Sequence, residues 1–219
     1  MAEYRLHCFA DSGNAYKVAL MLELARCDWE PVWVDFFNGA TRTDAFRALN
    51  VMGEVPVLEH KGEVLSQSGA ILDYLAAVTG AFDPGAENSR EAMRWLLFDS
   101  QKISGYLGPW RFVATLAPPE KRSADVIAFL EGRARNALAA LDRHLADRDW
   151  IAAEWMTIAD LAAAGYVLYE DDYPIDWAAE YPNLDAWKAR IRAEEGWRHP
   201  YDLMPGRAAD APGATREEA

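Results

Sequence analysis

The chain has 219 residues, of which 51% are hydrophobic and 26% charged, a composition typical of a globular protein with one or two domains. Its formal net charge of −13 argues against nucleic acid or an anionic membrane as a partner, because the overall field would repel both. No apolar run is long enough to cross a bilayer. Residues 1–5 lack the pattern of a signal peptide, so we expect a cytoplasmic protein.

Residues 1–80 show strand and helix patterns in alternation. We predict strands at residues 5–9 and 29–36, helices at 14–26 and 44–49, a hairpin formed by 55–58 and 63–65, and a helix from residue 68 to about residue 78 that ends at Gly80. The order βαβ and then ββα predicts one mixed sheet with helices on both faces. This is the pattern of a thioredoxin-like α/β domain.

A turn-rich linker at residues 80–85 ends the strand pattern. We predict helices at residues 87–106, 123–146, 157–168 and 184–194, which gives a sheet domain over residues 1–80, an all-helical domain over residues 87–205 and a flexible tail at residues 206–219. The helix at 157–168 is apolar nearly all round and should be buried. At its start, Thr157 and Asp160 have the spacing of a capping box, which is a structural role.

The two cysteines, Cys8 and Cys27, do not form a Cys-x-x-Cys pair. Neither they nor the four histidines have the spacing of metal ligands. We therefore expect no metal and no bound cofactor. Cys8 lies in the first predicted strand, where a cysteine is usually a small buried hydrophobic residue.

Two neighbouring segments carry the most specific pattern in the chain. Residues 53–58 (GEVPVL) place Pro56 inside a predicted strand. Because proline cannot donate to a strand ladder, it belongs at an edge, a strand start or a bulge. Residues 65–75 (LSQSGAILDYL) pass from a short strand into a helix at Gln67 and Ser68, and a helix start leaves backbone N–H groups that can bind an anion. An open strand edge beside an anion site suits a small acidic peptide.

These segments, together with residues 11–18 (DSGNAYKV) and 157–161 (TIADL), resemble the soluble glutathione S-transferases over nearly the whole chain. The resemblance implies a homodimeric enzyme that takes glutathione as co-substrate and activates its thiol as a thiolate for attack on a hydrophobic electrophile. It implies that the sheet domain binds glutathione. The chain looks like a serine-type member, since Cys8 or Phe9 stands where other members have a tyrosine.

Ser12 lies in the loop before the first predicted helix. By the resemblance, its hydroxyl donates to the glutathione sulfur, and a hydrogen bond to the charged form of a group lowers that group's pKa. The alternative is that Ser12 only caps the helix. Asn14 could assist Ser12 or serve only as a helix-start residue. The loop 12–15 (SGNA) has no cysteine, which excludes a cysteine mechanism at these positions.

The resemblance also assigns the rest of the glutathione site. Val55 and Pro56 match the family's cis-proline, which lets the Val55 backbone pair in antiparallel fashion with the cysteinyl part of glutathione. A trans edge-strand proline is the alternative. Gln67 and Ser68 match the residues that hold the γ-glutamyl end, with a purely capping Ser68 as the alternative.

Glu54 departs from the family pattern, since many relatives have a basic residue there, near the glycyl carboxylate. An acid at this position repels that carboxylate and weakens binding, unless Arg42 or Lys17 points inward to compensate. Many relatives also have an acid where Gln67 stands. The ammonium of glutathione is then left to another carboxylate, such as one from a partner subunit.

The electrophile site is expected between the domains, among aromatic residues. Tyr106, Trp110 and Phe112 follow the first long helix in a Gly-Pro turn segment, and Tyr166 lies on the buried helix. Aromatic side chains combine apolar surface with a polar tip, which suits a hydrophobic co-substrate, although plain core packing explains them equally well. We interpret the acidic run at residues 170–172 as a solvated loop.

Two other classes of function stay open. One is a glutathione-dependent reductase, peroxidase or isomerase that uses the same pocket. The other is a non-catalytic binding module that keeps the fold, which Glu54 and the neutral Gln67 favour. Residue types alone do not separate these classes, because function depends on the site rather than on the fold.

Overall fold

A computed structural model describes residues 2–207 of the chain. The first half forms a four-stranded mixed sheet with helices. Its elements are β1 (Tyr4–Cys8), α1 (Gly13–Leu24), β2 (Trp29–Trp33), α2 (Asp44–Leu49), β3 (Val57–His60), β4 (Glu63–Ser66) and α3 (Ser68–Thr79). The strand order is β2-β1-β3-β4, with β1 and β2 parallel and the other two pairs antiparallel. The predicted thioredoxin-like arrangement is confirmed.

Two strands are shorter than predicted, β2 at its end and β3 at its start. The strand β2 ends at Trp33 instead of residue 36, because the chain turns there and the Phe36 N–H bonds the nearby Val34 carbonyl at 2.8 Å. The strand β3 starts at Val57 instead of residue 55. Its pairing with β1 begins only at the His7–Val57 pair. Val55 is therefore left outside the sheet.

Residues 80–207 contain helices and turns and no strand. The helices are α4 (Gly85–Phe98), α5 (Ser104–Arg111), α6 (Ala124–His144), α7 (Ile158–Val167), α8 (Trp177–Glu180), α9 (Pro182–Arg192) and α10 (Pro200–Leu203). The sequence pattern misses α8 and α10, because four residues are too few to show a helical period. Of the tail predicted at 206–219, residues 208–219 lie outside the described residues. No helix within residues 2–207 is both long and apolar enough to span a membrane.

The region after α4 is helical, which corrects the predicted Gly-Pro turn. Short π-helical segments of five residues at Asp99–Ile103 and Phe112–Leu116 flank α5, and Pro109 lies inside α5. Proline in a helix interior costs about 3 kcal/mol. The helix persists because Ile103, Leu107 and Trp110, at helical spacing, are all buried in the core.

The buried helix α7 is at the centre of the fold, as predicted. It packs against α1, α3 and α4, so it joins the two halves of the chain. The capping box at its start is present: Asp160 Oδ2 accepts the Thr157 N–H at 2.8 Å. Asp160 Oδ1 also accepts the N–H of Ile151 and the ring N–H of Trp187, both at 2.9 Å. Asp160 therefore has the structural role that its spacing predicts.

Candidate functional site

Two adjoining cavities lie between the sheet and the helical part of the chain. The larger has a volume of about 460 Å³ and the smaller about 250 Å³, and both are lined by Asn14, Glu54 and Val55. Pro56, Gln67 and Ser68 line the larger cavity as well, and Ser12 lines the smaller. All seven residues that the resemblance assigns to glutathione thus border one continuous cleft.

The edge of this cleft offers an unpaired piece of backbone. The Val55-Pro56 peptide bond is cis. Within residues 2–207, neither the N–H nor the C=O of Val55 bonds another group of the protein. Open strand-like backbone of this kind can add an extended peptide by main-chain hydrogen bonds.

The N-terminus of α3 forms the next wall of the cleft. Gln67, which precedes this helix, has φ of 70° and ψ of 110°. Residues other than glycine rarely adopt this combination of backbone angles. Such backbone strain is typical of functional sites. The Ser68 hydroxyl lies 3.4 Å from Asn14 Oδ1 and donates to it. Backbone N–H groups of the first turn of α3, which have no partner inside the helix, are available to an anion there.

Ser12 caps α1, as its alternative interpretation predicts. Its Oγ accepts the Ala15 N–H at 3.2 Å. A serine hydroxyl that accepts one hydrogen bond keeps its own proton to donate, and no acceptor for that proton is present within residues 2–207. Capping and donation to a sulfur atom are therefore compatible roles for the same oxygen.

Tyr166 is wedged beside the start of α1. A Cβ atom on Gly13 would lie 2.6 Å from the Tyr166 ring, and one on Gly108 would lie 2.9 Å from it, so both glycines are needed for the ring to fit. Burial raises the pKa of Tyr166 to about 12. The phenol is therefore protonated at neutral pH, and Tyr166 is one of the residues that line the smaller cavity.

A buried arginine, which the sequence analysis does not single out, holds the Ser12 loop. Arg111 is 1% exposed. Its Nη1 donates to the Asp11 carbonyl at 2.7 Å, and its Nε donates to Asp172 Oδ2 at 2.6 Å. The guanidinium carbon also lies 4.1 Å from the centroid of the Tyr169 ring. These contacts tie the residue before Ser12 to the helical part of the chain.

The acidic run at residues 170–172 is an ion-pairing segment, which corrects its interpretation as a solvated loop. Asp172 pairs with Arg111. Glu170 pairs with Lys188 at 2.6 Å and also with Arg192. Spacing along the chain gives no signal for these contacts, because the partners are 18 to 61 residues away.

Aromatic side chains from the sheet domain also line the smaller cavity, and they are not among the residues predicted from the sequence. The rings of Phe9 and Phe36 are stacked with centroids 4.7 Å apart, and the Phe37 ring meets the Phe36 ring edge-on at 5.5 Å. Phe112 and Leu116, from the turn after α5, line the same cavity. The only available signal was the Phe36-Phe37 pair at the end of the second predicted strand.

The four electrophile-site candidates divide into two pairs. Phe112 and Tyr166 line the smaller cavity. Tyr106 and Trp110 line neither cavity, which corrects the prediction for these two residues. Trp110 is 1% exposed, and its ring packs 5.1 Å from that of Tyr173. The reason is the helical path of residues 104–111, which turns Trp110 into the core.

The two basic residues considered as compensation for Glu54 do not point into the cleft. Lys17 is buried, and its Nζ donates to Asp99 Oδ2 at 2.5 Å and to Ser104 Oγ at 2.8 Å. Arg42 is exposed and lines neither cavity. Burial raises the pKa of Asp99, and the Lys17 ammonium acts against this rise. Glu54 thus carries an uncompensated charge at the cleft.

Cys8 cannot act as a nucleophile in this arrangement. It is fully buried, and burial raises its pKa to about 12. The thiolate is the reactive form of cysteine. The other cysteine, Cys27, lines neither cavity, so any thiol chemistry at the cleft uses a thiol that the ligand brings.

Comparison with known proteins identifies the family. The models of the glutathione S-transferase N-terminal and C-terminal domains match residues 11–78 and 111–195. The disulfide-bond oxidoreductase YfcG of Escherichia coli K12 is 30% identical over 193 residues, which cover 84% of this chain and 88% of that protein. This chain belongs to the soluble glutathione S-transferase family. The resemblance that the sequence motifs indicate is confirmed.

Solved structures agree with this membership. A possible glutathione S-transferase from Rhodopseudomonas palustris is 32% identical, with a TM-score of 0.85 and coverage of 91% of this chain and 98% of that one. A glutathione transferase from Burkholderia graminis, with two glutathione molecules bound per subunit, is 26% identical, with a TM-score of 0.79 and coverage of 89% and 85%. The protein is an enzyme of the glutathione transferase type.

Proposed function

We propose that the protein binds glutathione in the larger cavity, activates its thiol as a thiolate, and joins the glutathione through its sulfur to a hydrophobic electrophile in the smaller cavity. The observation that carries the proposal is the shared border of the two cavities at Asn14, Glu54 and Val55. A peptide on one side and an electrophile on the other would meet there, and holding two reactants together supplies much of the rate of a transfer reaction.

The orientation of glutathione follows from the two binding elements of the larger cavity. The γ-glutamyl carboxylate binds the first turn of α3 at Ser68, where backbone N–H groups and the helix dipole favour an anion. The cysteinyl backbone pairs in antiparallel fashion with Val55. Between these two contacts, the cysteinyl sulfur lies beside Asn14 and the N-terminus of α1.

Thiol activation at that position is electrostatic. The Ser12 hydroxyl donates to the sulfur, and the partial positive charge at the start of α1 also favours the thiolate. A free thiol has a pKa of about 8.5, and each unit of lowering is worth about 1.4 kcal/mol. The thiolate then forms a carbon–sulfur bond with the electrophile, whose leaving group departs with the bonding electrons. Asn14, which lines both cavities, is placed to assist Ser12.

The electrophile is bound by the aromatic wall of the smaller cavity. Phe36, Phe37 and Phe112 offer ring faces and edges, which suit a flat aromatic compound. The protonated Tyr166 hydroxyl would donate to a polar substituent or to a leaving group that gains negative charge.

The test is the ultraviolet thiolate absorbance of glutathione bound to the protein, titrated from about pH 5 to about pH 9. We expect a bound thiol with a pKa below the free value, and a rise of that pKa in Ser12→Ala. Because Ser12→Ala also removes a helix cap, the matched control is Ser123→Ala, which removes the equivalent cap of α6 and should leave the thiol pKa unchanged. An unchanged pKa in Ser12→Ala would contradict the role of Ser12 and assign activation to another group, with Asn14→Ala as the next variant.

A second candidate is a glutathione-dependent disulfide reductase, which the similarity to the oxidoreductase of Escherichia coli favours. Two glutathione thiols would together give up two electrons and two protons to a disulfide and become oxidised glutathione. The two ligands would occupy the two adjoining cavities. Because Cys8 is buried and Cys27 lines neither cavity, no protein thiol would take part.

Turnover with a dinitroaryl halide and with the disulfide of mercaptoethanol separates the two candidates. Faster turnover of the disulfide, unchanged in Cys8→Ala, would favour the reductase. Faster turnover of the halide would favour the transferase. Binding of glutathione without turnover of either compound would indicate a binding module.

We also propose that the protein is a homodimer. Met93 and Leu97 of α4 are 47% and 63% exposed, and Val78 of α3 is 48% exposed, which is much apolar surface for one side of a monomer. Sedimentation equilibrium should give twice the chain mass, and Leu97→Glu should shift the protein towards the monomer. A monomeric parent protein would contradict the proposal.

A further inference from the structure

The charges around the larger cavity do not match those of glutathione. Its lining includes the carboxylates of Glu54, Asp73 and Asp99 and, among the described residues, no lysine, arginine or histidine. Asp99 is paired with the buried Lys17. Glu54 and Asp73 have no ion pair within residues 2–207, so two uncompensated negative charges face a ligand that carries two carboxylates and one ammonium.

Two of these three ligand charges have a suitable place. The α-carboxylate of the γ-glutamyl group fits the first turn of α3 at Ser68, where N–H groups are available. Asp73 lies on the same helix and also lines the cavity, so it offers a carboxylate for the ammonium. The remaining charge is the carboxylate at the other end of the peptide.

The direction of the peptide places that end beside Glu54. In antiparallel pairing, the ligand residue after the cysteine lies alongside the protein residue before Val55. That residue is Glu54. The γ-glutamyl group lies in the opposite direction, towards Pro56 and Ser68.

The Glu54 carboxylate is held at this position. Its Oε2 accepts the side-chain N–H of Gln67 at 3.1 Å, and the Glu54 carbonyl accepts the side-chain N–H of Asn50 at 2.8 Å. The Gln67 amide orients the carboxylate and the Asn50 amide holds the Glu54 backbone. Both donors are neutral, so neither cancels the charge of the carboxylate. The side chain is exposed to solvent.

We propose that Glu54 selects a γ-glutamyl-cysteinyl thiol whose C-terminal end is neutral or cationic, such as an amide or an amine-extended peptide, over glutathione with its free glycyl carboxylate. A cationic end would pair with Glu54, and a free carboxylate would be repelled. The inference rests on the proposed binding of a glutathione-type peptide in the larger cavity. It names the substrate class within that function.

The test compares, by titration calorimetry, three thiols: glutathione, glutathione with its glycyl carboxyl amidated, and glutathione with that carboxyl joined to a diamine. We expect the amide to bind about three- to tenfold more tightly than glutathione, and the diamine derivative more tightly still. The differences should shrink as salt is added, because Glu54 is exposed. Glu54→Gln should remove most of the discrimination, and Glu54→Lys should reverse it.

A matched control keeps the test specific to this carboxylate. Glu63 is an exposed acid on β4 that lines neither cavity, so Glu63→Gln should leave the preference unchanged. Equal or tighter binding of glutathione by the parent protein would overturn the inference while leaving the proposed function intact. Failure of all three thiols to bind would instead refute the proposed function.

Discussion

The backbone of Gln67 allows a sharp test of whether the cleft stores strain. Its φ of 70° and ψ of 110° lie where a side chain crowds its own backbone, at a cost of about 1–3 kcal/mol. Glycine has no Cβ and adopts such a conformation freely. Gln67→Gly therefore releases the strain, and Gln67→Ala keeps it. Both variants lose the same side-chain contacts, with Glu54 and Met52, so comparing them isolates the backbone effect.

The expected difference follows from two opposing effects. Release of strain stabilises Gln67→Gly by about 1–3 kcal/mol. The greater freedom of glycine in the unfolded chain costs about 0.4–1 kcal/mol. We therefore expect Gln67→Gly to have a free energy of unfolding about 0.5–2 kcal/mol above that of Gln67→Ala. At an unstrained position the order is the reverse.

Urea unfolding of the two variants measures this difference, and thermal unfolding should show it as about 2–4 °C per kcal/mol for a chain of this size. The control is Gly132→Ala in α6, where a new Cβ meets no atom within 4 Å. There alanine should be the more stable residue by about 0.5–1 kcal/mol. If alanine at position 67 is as stable as glycine or more so, the Gln67 backbone is not strained.

Three further predictions concern buried charges. Lys17→Met should cost about 3–5 kcal/mol, because it leaves the Asp99 carboxylate buried without a counter-charge and with only the Ser104 hydroxyl as a side-chain partner, and replacing Asp99 by Leu as well should restore most of that stability in urea unfolding. Asp160→Ala should cost about 3 kcal/mol or more, because several buried N–H donors lose their acceptor; thermal unfolding measures the loss. In Glu170, burial raises the pKa but the hydrogen bond from Lys188 contributes to a net lowering. The ionised form therefore stabilises the fold, so the stability advantage over Glu170→Gln should be full well above pH 4.5, the ordinary pKa, and should be lost as the pH falls below it.

Each of these predictions has a control or a result that contradicts it. Arg26 pairs with Glu195 at the surface, where their side chains are 71% and 86% exposed, so Arg26→Met should cost less than about 1 kcal/mol. If Lys17→Met costs no more stability than Arg26→Met, the ion pair between Lys17 and Asp99 does not matter for stability. Ser123→Ala removes a single exposed cap and should cost about 1 kcal/mol; a similar cost for Asp160→Ala would contradict its central role. A stability difference at Glu170 that does not change with pH would show that the lowered pKa is absent.

Much of the fold can be predicted from the sequence because its signals are local. The glycine that ends α3, Gly80, has φ of 72°, a conformation that favours glycine at a helix end. The capping box of Thr157 and Asp160 lies within four residues. The hydrophobic period identifies each long helix. Local signals conflict at Pro109 in α5. The glycine and proline residues nearby predict a turn, but the burial of apolar side chains along the segment keeps it helical.

The residues of the candidate site also divide into those that local sequence motifs predict and those that depend on contacts distant in the sequence. Ser12, Val55 and Ser68 lie in local motifs, and the structure places them on one cleft. The contacts of Arg111 cannot be predicted from the sequence, since its partners are 61 to 100 residues away. The prediction that Trp110 lines the cleft is wrong for a related reason. A single turn of helix determines whether an aromatic ring faces the cleft or the core.

The structure also resolves a conflict in the charges of the chain. A protein with a net charge of −13 repels a peptide anion at long range. Lys17 is paired with Asp99, and Arg111, which lines the smaller cavity, is paired with Asp11 and Asp172. Attraction must then come from backbone N–H groups at the starts of α1 and α3, both of which border the cleft. These dipoles act only within about one helical turn, so they can hold the γ-glutamyl end and the thiolate but not the distant glycyl end. Under the proposed orientation of glutathione, Glu54 faces that end, and its charge would be the feature by which the cleft distinguishes one thiol peptide from another.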